Sequence, residues 1–202
     1  MKERVGSSAA SRSRWSAIIG LEESPMRTIP GQPLPALAAK LVAGGGWTLA
    51  GEKPDKLALL AFYRGIFCPI CRNWLADLNG VVNEFAKRGV STIALSCDGK
   101  EAAEKSVAEW KLSKLRVGYK LDPEEARKAG LYISQGRGVN QGSGLKESRL
   151  FTEPGLLLAR PGGELYAAWL QSTPYARVHI SEILTAVDNF LARDLPPARG
   201  SA

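Results

Sequence analysis

Leu57-Ala-Leu-Leu-Ala-Phe-Tyr-Arg-Gly-Ile-Phe-Cys-Pro-Ile-Cys-Arg72 is the stretch on which the fold turns. Its first part, Leu57 to Tyr63, is a continuous apolar run bounded by charged residues, the pattern of a strand buried on both faces. Beyond it, Ile70, Trp74, Leu75, Leu78, Val81, Val82 and Phe85 recur at helical spacing, which predicts one amphipathic helix ending near Gly89. Cys68-Pro69-Ile70-Cys71 therefore falls where a buried strand turns into a long helix. The first N–H groups of a helix lack intrahelical partners, and the macrodipole adds partial positive charge there. A thiolate on Cys68 is favoured over a thiol, and the thiolate is the nucleophile. Arg64 and Arg72 add to that charge. Pro69 suits the first helical position, where its missing N–H costs nothing. The i, i+3 spacing puts Cys71 on the same face, within reach of a reversible disulfide. The expectation is a lowered pKa for Cys68, an ordinary one for Cys71, and a Trp74 fluorescence that reports the redox state.

Working outward, Val90 to Leu95 reads as a second buried strand leading to Ser96 and Cys97. Residues 101 to 112 read as a helix with Val107, Trp110 and Leu112 on its inner side. This β-α-β-α order implies parallel strands joined by right-handed crossovers. A short strand near Val117 to Leu121 precedes Asp122-Pro123-Glu124-Glu125, a helix start with a capping acid, a first-turn proline and acids near the positive end of the dipole. Gly130 closes that helix. Leu156 to Ala159 and Glu164 to Leu170 are strands joined through Arg160-Pro-Gly-Gly163, and Ile180, Ile183, Leu184, Val187, Phe190 and Leu191 stripe a final helix. Upstream, Pro30, Gly31, Pro33 and Pro35 mark an extended lead-in, and a short strand is predicted near Trp47 to Leu49. Residues 135 to 148, with Gly136, Gly138, Gly142 and Gly144, read as a flexible polar linker. Those glycines neither follow a strand nor open a helix, so no phosphate cradle is implied. The chain has no internal repeat and no second core. The fold class is α/β, with a central mixed sheet flanked by helices. One domain spans 30–194, between an N-terminal tail (1–29) and a C-terminal tail (195–202) expected to fray.

The 202 residues are 45% hydrophobic and 23% charged, the balance of a soluble globular chain. No apolar run approaches the roughly 20 residues that span a bilayer. The net charge of +7 is spread along the chain without a dense basic run, which argues against nucleic-acid binding. Three cysteines, two in one Cys-x-x-Cys, do not make a secreted disulfide scaffold. Met1 to Trp15 lacks the apolar stretch of a signal peptide, and Glu3, Glu22 and Glu23 oppose a transit peptide. The expected setting is a reducing cytoplasm. Neither a cofactor nor a metal is expected. A zinc reading exists, since Cys68, Cys71, Cys97 and His179 supply four ligand-type side chains. However, zinc sites usually present cysteines on knuckle turns, and only one pair is present. Cys97 reads as a partly buried small residue, His179 as a packing or surface residue.

Phe62-Tyr-Arg-Gly-Ile-Phe-Cys-Pro-Ile-Cys-Arg72 resembles the alkyl hydroperoxide reductase and thiol-specific antioxidant (AhpC/TSA) superfamily, in its peroxiredoxin-like branch. Supporting stretches are Pro30-Gly-Gln-Pro-Leu-Pro35, Asp122-Pro-Glu-Glu-Ala-Arg-Lys-Ala-Gly-Leu131, Glu153-Pro-Gly-Leu-Leu-Leu-Ala-Arg-Pro-Gly-Gly-Glu-Leu-Tyr166 and Gln171-Ser-Thr-Pro-Tyr-Ala-Arg177. The resemblance implies a thioredoxin fold with Cys68 as attacking thiol, and a cis-proline, Pro154, facing the cysteine pair. It also marks departures. Peroxiredoxins carry Thr or Ser three residues before the reactive cysteine and a Pro four residues earlier, where this chain has Gly65 and Ala61. Thioredoxins carry a buried Asp and a Thr or Ile where this chain has Phe62 and Glu153. Arg64, Arg149 or Arg177 would then supply the donor to peroxide oxygens. The implied catalytic set is Cys68, Cys71, Arg64 and Pro154. The implied reaction is peroxide reduction through a Cys68/Cys71 dithiol–disulfide cycle, with a thioredoxin-, glutaredoxin- or small-thiol-type reductant. A homodimer is compatible with this. The rival chemistry is thiol–disulfide exchange on protein or small-molecule disulfides. The rival of another class is a non-catalytic zinc-binding or interaction domain.

Overall fold

Strand β3 (Leu57–Phe62) is buried along its whole length: it is an interior strand of the sheet, with side chains packed on both of its faces. The structure, a computed structural model, describes residues 28–201. The strands are β1 (Ala38–Leu41), β2 (Gly46–Thr48), β3, β4 (Val90–Leu95), β5 (Arg116–Tyr119), β6 (Ile133–Gln135), β7 (Leu150–Thr152), β8 (Gly155–Ala159) and β9 (Leu165–Leu170). The helices are α1 (Pro69–Lys87), α2 (Lys100–Glu109), α3 (Pro123–Lys128) and α4 (Ile180–Leu191). Seven strands form one sheet in the order β2-β1-β5-β4-β3-β8-β9, and β6 and β7 pair apart from it. β3, β4 and β5 run parallel, whereas β8, β9, β1 and β2 join antiparallel, so the sheet is mixed as expected.

Strand alternation divides the core in two. Leu57, Leu59 and Ala61 point into a cluster with Trp74, Leu75 and Leu78 of α1 and Ile183 and Val187 of α4. Ala58, Leu60 and Phe62 point the other way, against Ala126 of α3 and Trp47 of β2. Each fully buried leucine or phenylalanine contributes roughly 1.5–3 kcal/mol of transfer free energy, so β3 is held from both sides. The capping reading of α3 is realised: the Asp122 carboxylate accepts the Glu124 N–H at 2.9 Å, and Gly130 follows with φ +87°.

Several segments differ from expectation. α2 stops at Glu109, because Lys111 adopts a left-handed φ of +57°. Trp110 and Leu112 thus reach the core from the turn beyond the helix. β1, β6 and β7 are only three or four residues long, too short for periodicity to reveal. The C-terminal tail is docked rather than frayed. Arg160 Nη2 donates to the carbonyls of Leu195 (3.0 Å) and Pro196 (3.1 Å), and Leu195 and Ala198 pack against the core. Of the expected N-terminal tail, residues 1–27 lie outside the described residues. The lead-in after it runs beside the β8–β9 hairpin, where the Gly31 N–H donates to Leu165 O. Among the described residues no helix is long and apolar enough to cross a membrane.

Candidate active site

The turn between β3 and α1 builds the site. Gly65 takes φ +142°, and its carbonyl accepts the Cys68 N–H at 3.1 Å, closing the turn. Cys68 is the N-cap of α1, in extended geometry, and its Sγ accepts the Cys71 N–H at 3.4 Å. A sulfur thus stands where a serine or aspartate oxygen usually satisfies a helix's orphan donor. Arg177 approaches from the segment before α4. Its Nη2 lies 3.4 Å from Cys71 Sγ and 3.9 Å from Cys68 Sγ. Its Nη1 donates to the carbonyls of Pro174 (2.6 Å) and Ala176 (2.8 Å), which aim the guanidinium. Trp74 Nε1 donates to Val178 O at 3.0 Å and ties the same segment to α1.

These contacts separate the two thiols. The Cys71 thiol donates to Cys68 sulfur and brings its pKa down to about 6. Burial opposes this, while the Cys71 backbone N–H and the charges of Arg177 and Arg64 assist it. Cys71 is driven well above the ordinary thiol value, chiefly by burial and then by its bond to and the charge of Cys68. The expectation of an ordinary Cys71 is therefore corrected: the residue is completely buried. Among the described residues Cys68, Cys71 and Cys97 are free thiols.

A cleft of about 940 Å³ opens over Cys68. Arg64, Cys68, Pro69 and Ile70 line it on one side, residues 135–137 and 139–142 with Glu147 on another, and Pro174 and Tyr175 line it as well. The second of these sides is the segment read as a flexible linker, and the structure overturns that reading. Val139 pairs with Lys146, and the Asn140 N–H donates to Leu145 O at 2.8 Å, so the segment folds back on itself as a strap. Ser143 Oγ donates to Phe67 O at 2.7 Å and fastens the strap to the cysteine turn. Its short polar side chains satisfy the backbone of tight turns, which is why a polar, glycine-rich stretch can be ordered.

Arg64 lines the cleft with Cys68 but is engaged elsewhere. It pairs with Glu153 (3.3 Å) and Glu147 (3.7 Å), and lies over the rings of Phe67 (5.4 Å) and Phe151 (4.8 Å). Arg72 and Arg149 are exposed. Of the three arginines named as donor candidates, Arg177 is the one with hydrogen bonds to the sulfurs. Pro154 is buried at the start of β8, and Glu153 rather than Pro154 faces the cleft. Its peptide bond is trans, as are all those of the described residues, which corrects the cis expectation. The chain runs extended from β7 into β8, a path that a trans bond continues. The four ligand-type residues of the zinc reading do not converge. Cys97 packs with the cluster on the opposite face of the sheet from Cys68 and Cys71, and His179 is the exposed N-cap of α4. Glu147, Asp98 and Ser148 were not singled out from sequence, and Glu153 was marked only as a departure from the thioredoxin pattern; no local spacing links them to Cys68 and Cys71.

A mixed sheet flanked by helices, with two cysteines at the amino end of its first crossover helix, is a thioredoxin-fold architecture. The AhpC/TSA family model matches residues 30–163, and the chain belongs to that family of thiol-dependent peroxide-reducing enzymes. Solved structures agree on the fold. The peroxidoxin BcpB of Mycobacterium tuberculosis is 15% identical with a TM-score of 0.62, covering 81% of this chain and 98% of that one. The reduced 2-Cys peroxiredoxin of Plasmodium vivax is 17% identical with a TM-score of 0.65, covering 83% and 84%. AhpC of Enterococcus faecalis is 15% identical with a TM-score of 0.63, covering 83% and 96%. Among curated proteins, none matches the chain by sequence.

Proposed function

We propose that the protein reduces peroxides through a Cys68/Cys71 dithiol–disulfide cycle. The carrying observation is Cys68 sulfur at the helix N-cap, accepting the Cys71 N–H and touched by Arg177, on the wall of an open cleft. The Cys68 thiolate attacks the terminal oxygen of the peroxide. The O–O bond breaks, the alcohol or water leaves with the peroxide proton, and Cys68 becomes a sulfenic acid after taking a proton from solvent. Cys71 sulfur then displaces the sulfenic oxygen, which departs as water carrying the Cys71 proton. The resulting disulfide is reduced by an external thiol, of thioredoxin, glutaredoxin or small-molecule type, which supplies two electrons. Arg177 serves as the donor that steadies negative charge at sulfur and oxygen. A reducing, cytoplasmic setting goes with this cycle, because an external thiol has to reopen the disulfide.

Stopped-flow tryptophan fluorescence of the reduced protein with hydrogen peroxide tests this. A fast change lost in Cys68→Ser is expected; a response no faster than that of a free thiol defeats the reading. A second reading, thiol–disulfide exchange, draws on the cleft, which far exceeds the size of hydrogen peroxide. In Cys71→Ser, a sulfenic-acid trap labels the peroxidase, whereas a trapped mixed disulfide marks exchange.

A further inference from the structure

Asp98 is a buried acid that the mechanism above leaves unused. It sits in the turn between β4 and α2 and is only 2% exposed. Its Oδ2 accepts the backbone N–H of Ile66 at 2.9 Å, and its Oδ1 accepts Ser148 Oγ–H at 3.0 Å. Both partners are neutral. One belongs to the turn that delivers Cys68, the other to the strap that lines another side of the cleft. A third observation concerns Gly65. A Cβ added there would stand 2.6 Å from Asp98 Oδ1 and 2.8 Å from Phe67 Cε1. The carboxylate thus fills the space that a side chain at position 65 would take, next to a glycine already held at φ +142°.

We propose that Asp98 is the positioning residue of the dithiol site: its carboxylate holds the turn before Cys68 through Ile66 and the strap through Ser148, with Gly65 keeping the space it needs. The proposal rests on Cys68 being the attacking thiol. The turn it holds is the one closed by the Cys68 N–H on Gly65 O, so it sets where Cys68 sulfur meets the Cys71 N–H and Arg177. Burial raises the Asp98 carboxyl pKa from its ordinary value, while the bonds from Ile66 and Ser148 work against that rise. An acid kept in so unfavourable a place, with no contact to the cleft, is accounted for by the two donors it joins.

The test is titration of the Cys68 thiolate by ultraviolet absorbance in Asp98→Ala, Asp98→Asn and Gly65→Ala. Cys71, Arg177 and Arg64 are the titratable or charged groups acting on Cys68, and all are retained. Removing a negative charge would by itself ease ionisation and lower the Cys68 midpoint. A rise can therefore come only from lost geometry. In Asp98→Ala the midpoint, about 6 in the parent, is expected to rise by about one unit, an approximately fivefold loss of thiolate at pH 6. Asp98→Asn keeps an acceptor for Ile66 and offers an N–H to the Ser148 hydroxyl, so its midpoint is expected at the parent value or slightly below it, never above. Gly65→Ala presses on both carboxylate oxygens, the one on Ser148 most closely and then the one on Ile66, and is expected to raise the midpoint as Asp98→Ala does, which keeps the test open if Asp98→Ala does not fold. A midpoint unmoved or lowered in Asp98→Ala and Gly65→Ala, with only melting affected, would overturn the proposal. So would Asp98→Asn behaving like Asp98→Ala. The titration reads the thiolate directly, so its outcome is separate from whether peroxide is the oxidant.

Discussion

β3 and β4 lie side by side and parallel, and each delivers a cysteine beyond its carboxyl end, yet the two thiols are chemical opposites. Cys68, after β3, is drawn down to about 6; Cys97, after β4, is pushed up to about 12, first by burial and further by the charges of Asp98 and Asp122. Both precede a helix. The difference is that Cys68 is itself the N-cap, with its sulfur on the Cys71 N–H and beside Arg177, whereas Gly99 caps the helix after Cys97. Cys97 turns to the opposite face of the sheet, where apolar neighbours and carboxylates disfavour a charged sulfur. The end of a parallel sheet does not activate a thiol; donors and a cation within bonding distance do.

The contrast can be broken most directly by exchanging serine for each cysteine. Cys68→Ser is expected to abolish the peroxide-driven fluorescence change, while Cys97→Ser keeps the rate within about twofold; loss in the second variant would sink the contrast. Alkylation mapped by mass spectrometry at pH 7 comes next in size. The two pKa values favour thiolate at Cys68 by about 10⁵, offset by the lower intrinsic nucleophilicity of a more acidic thiol, so labelling about a hundredfold faster at Cys68 is expected. Equal labelling would show the environments to be alike. A smaller effect is expected of Arg177→Met, which removes the cation from both sulfurs: the Cys68 midpoint should rise by about one unit, and Trp74 emission should change with it.

The pH dependence follows from the lowered value. Cys68 is a thiol whose folded pKa lies below its unfolded one, so the folded protein binds fewer protons between about 6 and the ordinary thiol range. Its contribution to stability is therefore fully present above the unfolded value and is lost as pH falls through about 6. The reaction rate should fall with it, tenfold per unit below that midpoint. In melting curves, the reduced protein should gain a few degrees over Cys68→Ser as pH rises through this window. A difference that is flat in pH, or reversed, would mean that Cys68 is not the depressed group.

Arg177 shows where reading by sequence thins out. It was legible as one of three arginine candidates, but only the folded chain brings it to the sulfurs, across 109 residues from Cys68 and 106 from Cys71. Arg64, one strand-to-helix turn from Cys68, looked the nearer donor, and its guanidinium is taken up by two acids from distant segments. The strap reversed its reading altogether. Its glycines and short polar residues carry no periodicity, and its order comes from bonds such as Ser143 to Phe67, 76 residues away.

What the sequence by itself determined is the run from β3 through the turn into α1, with Cys68 and Cys71 at the start of the helix. Apolar continuity, helical spacing and the unpaired N–H groups of a helix start are local properties, written in adjacent residues. Only the tertiary structure decided the depth of Cys71, the opposite fates of Cys68 and Cys97, the aim of Arg177 and the seat of Asp98. Each of these depends on what is packed against the residue from far along the chain, and desolvation and Coulomb attraction act through space rather than along the backbone.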